Sequence, residues 1–354
     1  MLDAMKIDVQ KIAKSRISEL NFDNLLFGKN FSDHMFVADY KDGKWGNLKI
    51  QPFQHISLSP GNSALHYGQS IFEGLKAYKN NKGEALIFRP LENLKRMNKS
   101  AERMCMAQLT EEVFMSGLKE LITLDKQWIS DRPGYSLYIR PLMFATDEFL
   151  GVRPSETYKF IIMTGPAAAY YSEPVKVKVE TYYSRSMVGG TGFAKTAGNY
   201  AGSLYPAKLA YNEGYHQLLW TDAKEHKYFE ESGTMNVMFL VGDTLITPPA
   251  ADTILKGITR DSVLTLVRDW GIKLEERRVS VEEIIKAIDN GSLREAFGVG
   301  TAATITHIAA IGFNGKDYVL PDIKTRELSG KILKSLDELK TGKSEDKFNW
   351  IYKV

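Results

Sequence analysis

Lys195 lies in GGTGFAKTAGNYAGS (189–203), where small residues flank a single ammonium group. A lysine amine becomes a nucleophile once it loses its proton, which desolvation or a nearby cation promotes. It can then form a Schiff base with a carbonyl compound. A flat aromatic carbonyl cofactor needs room beside the amine, and small residues provide it. A flexible surface loop with an incidental lysine has the same composition, so the chemistry needs partners elsewhere.

Three other stretches offer them. FEESGTMN (229–236) places Glu231 between strand-like segments. A protonated pyridine nitrogen wants such a carboxylate, as in pyridoxal-phosphate sites. A solvated turn carboxylate reads the same way, and Glu230 stands beside it. ILKGITRDSVLTLVRDWG (254–271) predicts a helix beginning just after Gly257 and ended by Gly271. Val263, Leu264, Leu266, Val267 and Trp270 form its apolar face. Its first N–H groups, at Ile258 and Thr259, form a natural phosphate site, and the Thr259 hydroxyl adds a donor. An ordinary capped helix fits the pattern too. FGVGTAA (297–303) fits the dinucleotide pattern G-x-G-x-x-A, but the β-branched TITHIAAIGF follows where a helix is required. A glycine-rich turn that offers N–H groups to an anion fits better.

The elements that must position these groups alternate along the chain. EALIFRP, YSLYIRPLMFAT, YKFIIMTGP and VKVKVETYY read as strands. RPLENLKRMNKSAERMCM and TEEVFMSGLKELITLDKQWI read as helices, the second capped by Thr110. QLLWTD, 228–249 and 293–313 read as sheet, and SVEEIIKAIDNGSL as a helix. GPAAAYYSEP (165–174) is the linker candidate. The expected organisation is a smaller α/β domain over 1–164 and a larger one over 175–354, both with mixed sheets.

The 354 residues carry 46 basic and 43 acidic side chains. That balance gives no sign of a nucleic-acid or membrane partner. Cys105 is the one cysteine, which excludes an intrachain disulfide, and a buried core position is expected for it. The six histidines are scattered and predict no metal site. The basic N-terminal stretch lacks the apolar run of a signal peptide, and no apolar run reaches the roughly 18 residues of a membrane span, so a cytoplasmic location is expected. No P-loop, H-E-x-x-H or G-x-S-x-G occurs.

In their order, FGKNFSDHMFVADY, ALHYGQSIFEGLKAY, IFRPLENLKRM, SLYIRPLMF, GGTGFAKTAGNYAGSL, EESGTMNVMFL, LKGITRDSV, EAFGVGTAA and FNWIYKV resemble the branched-chain-amino-acid aminotransferases. These are fold-type IV pyridoxal 5'-phosphate enzymes of the D-amino acid aminotransferase-like kind. The resemblance runs from about residue 20 to the end of the chain. It implies that Lys195 carries the cofactor and moves the substrate proton, and that Glu231 pairs with the pyridine nitrogen. Tyr200 would bond the phenolic oxygen, while Arg89, Ile258, Thr259 and Thr301 hold the phosphate. Thr301 and Ala302, with Tyr138 and Arg140, would receive the substrate carboxylate. Phe27, Phe72, Tyr170 and Thr234 would line the side-chain pocket. Tyr67 would reach in from a second subunit, so a homodimer is implied. Two positions depart from common family patterns. Met238 stands where an aromatic residue is frequent. Ala303 and Thr306 stand where some members carry a redox C-x-x-C.

The expected reaction moves the amino group of L-leucine, L-isoleucine or L-valine to 2-oxoglutarate, giving L-glutamate and a branched 2-oxo acid. Rivals on the same fold act on D-amino acids or aminodeoxychorismate. A rival of another class is a nicotinamide-dependent dehydrogenase using GVGTAA.

Overall fold

A computed structural model describes residues 6–168 and 173–354. The chain divides into two compact units. One comprises Met1–Tyr170, Ala194–Ala197 and Glu338–Val354; the other comprises Tyr171–Phe193 and Gly198–Asp337. The division falls within 165–174, whose residues 169–172 lie outside the described ones. Two pieces expected in the second domain therefore belong to the first unit: the quartet holding Lys195, and the tail.

The first unit is built on β1 (Asp8–Val9), β2 (His34–Lys41), β3 (Lys44–Pro52), β4 (Ser70–Phe72), β5 (Leu75–Lys79), β6 (Ala85–Phe88), β7 (Ser136–Ala145) and β8 (Tyr158–Ala167). With the C-terminal strand Ile351–Lys353 they form one sheet in the order β1-β3-β2-β8-β7-β5-β6-C-terminal strand, with β4 also on β7. The tail joins because Ile351–Lys353 pairs antiparallel with Leu86–Phe88. β2 and β3 turn on Asp42 and Gly43, both at positive φ (52° and 77°), as a two-residue hairpin loop requires. α1 (Ser63–Tyr67), α2 (Pro90–Arg103) and α3 (Glu111–Leu124) complete the unit, and α2 and α3 follow the sequence periodicity. Pro90 opens α2 at a position where a missing N–H costs nothing. Thr110 Oγ1 caps α3 by accepting the Val113 N–H at 3.2 Å. Leu94, Met97, Val113, Phe114 and Leu118 enter a common core with Phe36 and Phe160. Cys105 is not in that core. α2 stops at Arg103, Cys105 turns the chain at φ 52° and is exposed, and Met106 is buried instead.

The second unit contains β9 (Val175–Val179), β10 (Gln217–Thr221), β11 (Phe229–Ser232), β12 (Met235–Val241), β13 (Thr244–Thr247), β14 (Lys273–Glu276), β15 (Leu293–Gly300), β16 (Thr304–Phe313) and β17 (Lys316–Val319). Pairing runs β11-β10-β9-β16-β15-β12-β13-β14, with β17 on β16. An additional β11–β12 pairing closes β9, β10, β11, β12, β15 and β16 into a barrel, which leaves those strands no open edge. β9 runs parallel to both its neighbours, and the other barrel pairs are antiparallel. The helices are α4 (Ala197–Asn212), α5 (Ile258–Asp269), α6 (Val281–Asp289) and α7 (Leu328–Lys340), of which the first residue of α4 and the last three of α7 belong to the first unit. No helix among the described residues is long and apolar enough to cross a membrane.

Candidate active site

Lys195 is fixed through its backbone within the first unit. Its N–H donates to Ser100 Oγ at 2.9 Å, and its carbonyl accepts the Phe72 N–H at 3.0 Å. Thr196 Oγ1 donates to Ser70 O at 2.9 Å, and Thr196 bridges Ile71 in antiparallel fashion. The lysine thus rides on a short extended segment against β4. Its Nζ stands 4.7 Å from the centroid of the Phe72 ring.

Arg140 comes to the same ring from β7, its guanidinium carbon 4.6 Å from the centroid. Lys195 and Arg140 thus both lie against the one Phe72 ring, within the range of cation–π contact. Arg140 Nη2 donates to the Tyr138 hydroxyl at 2.9 Å, and Arg140 Nε is buried without a hydrogen-bond partner. Phe27 sets its ring edge-on to Tyr138, with centroids 4.9 Å apart. Phe27, Phe72, Tyr138, Arg140 and Lys195 are therefore gathered in one cluster of aromatic rings and cations.

Glu73, next in sequence to Phe72, is fully buried. Arg96 holds it with bonds of 2.7 and 2.8 Å, and Asn93 adds one of 2.8 Å. Burial pushes its carboxyl up, but the Arg96 charge and bonds, with Lys195 and Asn93, outweigh burial and hold it below its ordinary value.

Arg89 occupies the N-cap of α2 in the left-handed region, at φ 51°. Its N–H donates to Trp350 O at 2.7 Å, and its guanidinium lies 5.0 Å from the Trp350 ring centroid. Tyr67 stands at the exposed end of α1, its hydroxyl donating to Leu150 O.

In the second unit Glu231 is buried on β11, directly across from Asn236 on β12. Arg185 Nη1 is 2.7 Å from Glu231 Oε2, and Asn236 Nδ2 donates to Glu231 Oε1 at 3.1 Å. Arg185 also donates to Thr253 O at 2.9 Å and Gly192 O at 3.3 Å. Asn236 donates to Leu255 O at 2.9 Å. The carboxylate is thus clamped between a cation and an amide, and is no solvated turn residue. Its neighbour Glu230 is buried as well. Burial raises its carboxyl to about 7, with Thr253 and Arg185 offsetting part of the effect.

α5 begins at Ile258, as the sequence predicts, with Gly257 at the N-cap and no side-chain cap. Thr259 is buried in its first turn. Tyr200 lies near the start of α4. Thr234 is exposed in the β11–β12 turn, and Thr301 and Ala302 lie in the β15–β16 turn. Tyr170 lies outside the described residues. GVGTAA runs from β15 through this turn into antiparallel β16, with Gly300 opposite Thr304. No helix follows it, which removes the dinucleotide reading. Among the described residues no His, Cys, Asp and Glu cluster is arranged to hold a metal ion.

Arg185, Asn236, Ser100, Glu73 and Arg96 were not legible as site residues. Asn236 had a signal: a two-residue Gly-Thr turn sets it opposite Glu231. The others are joined to the site by tertiary contacts that no spacing announces.

The family model for amino-transferase class IV matches residues 70–311. Branched-chain-amino-acid transaminase 1 of Bacillus subtilis (strain 168) is 44% identical over 336 residues, covering 94% of each chain. Among solved structures, the branched-chain aminotransferase of Thermoproteus uzoniensis with norvaline matches with a TM-score of 0.76 at 26% identity, over 90% of this chain and 99% of that one. The branched-chain amino acid aminotransferase of Thermobaculum terrenum in its PLP form matches in fold, with a TM-score of 0.72 at 24% identity over 92% and 99%. With its fixed lysine and clamped glutamate, this chain belongs to the class IV aminotransferases and, within them, to the branched-chain-amino-acid aminotransferases.

Proposed function

We propose that the chain is a pyridoxal-phosphate-dependent transaminase that moves the amino group of L-leucine, L-isoleucine or L-valine to 2-oxoglutarate. The residues present fit that cofactor. Lys195 offers an amine on a pinned backbone. Glu231 is a buried carboxylate held by Arg185 and Asn236. α5 presents an N-terminus with no side-chain cap. Bound there, the cofactor supplies electron withdrawal that loosens the Cα–H bond of an amino acid.

Lys195 Nζ would take that proton from the substrate Cα and return it further along the conjugated system, which needs an amine held in reach of both positions. Glu231 would keep the pyridine nitrogen protonated. The first N–H groups of α5, at Ile258 and Thr259, would hold the phosphate with Arg89 and Thr301, and Tyr200 would bond the phenolic oxygen. The N–H groups of Thr301 and Ala302 would hold the substrate carboxylate. Phe27 and Phe72, with Tyr170 and Thr234, would cover the branched side chain, whose burial contributes about 1.5–3 kcal/mol. Arg140 and the Tyr138 hydroxyl would receive the second carboxylate of glutamate, so one site serves both substrates. The observation that carries this reading is the cluster itself, in which Phe72 touches the Lys195 amine on one hand and the Arg140 guanidinium on the other.

The assembly we propose is a homodimer, with Tyr67 reaching the partner's site. Leu65, Tyr67, Phe149, Leu150 and Val152 are all exposed, and the Tyr67 hydroxyl donates to Leu150 O, so the two segments that carry them are neighbours. Sedimentation of the purified chain tests this, and a monomer would correct it. A cytoplasmic location belongs to the same proposal; cell fractionation that recovers the chain with membranes would correct it. The activity is tested by spectrum. The cofactor-loaded protein is given L-leucine without any oxo acid, and the visible band of the lysine-bound cofactor should give way to that of pyridoxamine phosphate. A band that ignores leucine and responds to a D-amino acid would keep the fold and overturn the substrate.

A further inference from the structure

We infer that Arg260 is a positioning residue for the anion-binding end of α5, a role that rests on the phosphate site proposed above. Arg260 is the third residue of α5 and is only 3% exposed. Its Nη2 donates to Pro248 O at 2.8 Å and to Glu276 Oε2 at 2.9 Å. Pro248 directly follows β13 and Glu276 ends β14, two parallel strands with Thr247 in register with Glu276. One guanidinium thus ties the first turn of α5 to the ends of two strands. Its Nε is buried without a hydrogen-bond partner.

Taken alone, this placement is unfavourable. The N-terminus of a helix carries partial positive charge, so a buried cation in the first turn opposes the dipole. Glu276 answers only part of it, because that carboxylate also binds Arg268 at 2.5 Å. A phosphate dianion held by the first N–H groups reverses the balance: the dipole and the guanidinium then act on it together. The turn is also set sterically. A Cβ on Gly257 would overlap Asn236 Oδ1 and come within 3.2 Å of the Arg260 Cβ. The turn that carries the donors at the start of α5 thus packs closely against Asn236, and Arg260 braces it from the first turn of the helix. Arg260 acts through those donors and through its charge, with no contact to the phosphate required.

The test compares pyridoxal 5'-phosphate with pyridoxal, which lacks the phosphate, as ligands of the full chain freed of cofactor. The unaltered chain should bind the phosphorylated form more tightly. Arg260→Met should lower that preference by about tenfold or more, with the Kd for pyridoxal unchanged. Arg260→Lys keeps a cation but loses the planar two-point hold, and should lose about threefold. General loosening of the fold would weaken both ligands alike, so equal losses overturn the inference. So does a full preference in the methionine variant or, should that variant fail to fold, in the lysine variant. If the unaltered chain binds pyridoxal as well as its phosphate, the phosphate site itself falls, and Arg260's role with it.

Discussion

Replacing Arg185 by methionine removes the guanidinium from beside Glu231 while keeping a side chain of similar reach. The ion pair spans 2.7 Å, and its side chains are 8% and 3% exposed, so solvent screens it little. Removing one partner of such a pair costs about 3–5 kcal/mol, because the other charge stays buried. The change also leaves Thr253 O and Gly192 O without the Arg185 donors, while Asn236 keeps its bond to Glu231 Oε1. We expect a loss of about 4 kcal/mol in the cofactor-free chain. Glu231→Gln strands the guanidinium instead and should cost a comparable amount. The double variant removes both charges, so it should fall short of the sum by about 2 kcal/mol or more. Urea unfolding followed by tryptophan fluorescence reads all four proteins, because Trp220 sits buried in the same unit with its Nε1 on Gly233 O. A cost below about 1 kcal/mol for Arg185→Met, or strict additivity with Glu231→Gln, would refute the clamp.

Other expectations follow from the same geometry. Lys195→Ala should abolish transamination with both leucine and glutamate, and residual turnover above about a thousandth of the original rate would place the proton transfer elsewhere. Arg140→Met should weaken kcat/KM for glutamate about tenfold more than for leucine, since only glutamate brings a second carboxylate to the Tyr138–Arg140 pair; equal losses would sink that assignment. Glu230 links stability to pH. Burial raises its carboxyl from 4.5 to about 7, so the folded chain keeps a proton that the unfolded chain releases in that interval. Its contribution is complete below pH 4.5 and fades as pH rises through 7, by about 3 kcal/mol. Glu230→Gln should flatten the fall in urea midpoint between about pH 4.5 and 8, and an unchanged slope would show that Glu230 titrates normally.

The helices α2, α3, α5 and α6 were legible because each shows an apolar face at helical spacing together with a local start signal, such as Thr110 before α3 or Gly257 before α5. α4 was not legible. Leu204, Tyr205 and Tyr211 are exposed while Ala210 and the mid-helix Pro206 are buried, so its apolar residues trace no single face. The motif stretches singled out Lys195, Glu231 and the start of α5 by their order and combination, since each alone also fits bare structure. The clamp around Glu231 escaped notice because Arg185 is far from it in sequence, and a lone arginine in YYSRSM looks like any surface cation. Cys105 went wrong for a local reason. Its apolar neighbours suggest a continuing helix, but a helix end intervenes and reverses which of them faces the core.

The small residues around Lys195 do not all serve the purpose their composition suggests. Gly189 sits at φ 78°, where the chain turns back and a side chain would be strained. Gly192 is needed for close approach, since a Cβ there would overlap Ser186 Oγ and come within 2.6 Å of Thr253 O. Thr253 O and Gly192 O are the carbonyls that receive Arg185. The glycine before the lysine therefore brings the chain close enough for one guanidinium to bind both carbonyls and Glu231. Gly198 and Gly202, after the lysine, have nothing within 4 Å of where a Cβ would stand, and neither takes a positive φ. The stretch is thus two devices joined at Lys195: a turn and tight packing before it, which fix the carboxylate clamp, and the exposed start of α4 after it, where Gly198 and Gly202 face open space. Gly192→Ala should accordingly disturb the Arg185–Glu231 pair and lower stability by about 1–3 kcal/mol. Gly202→Ala should leave stability unchanged or slightly raised in its helix. A reversal of that order in urea unfolding would show that the two halves of the stretch had been assigned the wrong way round.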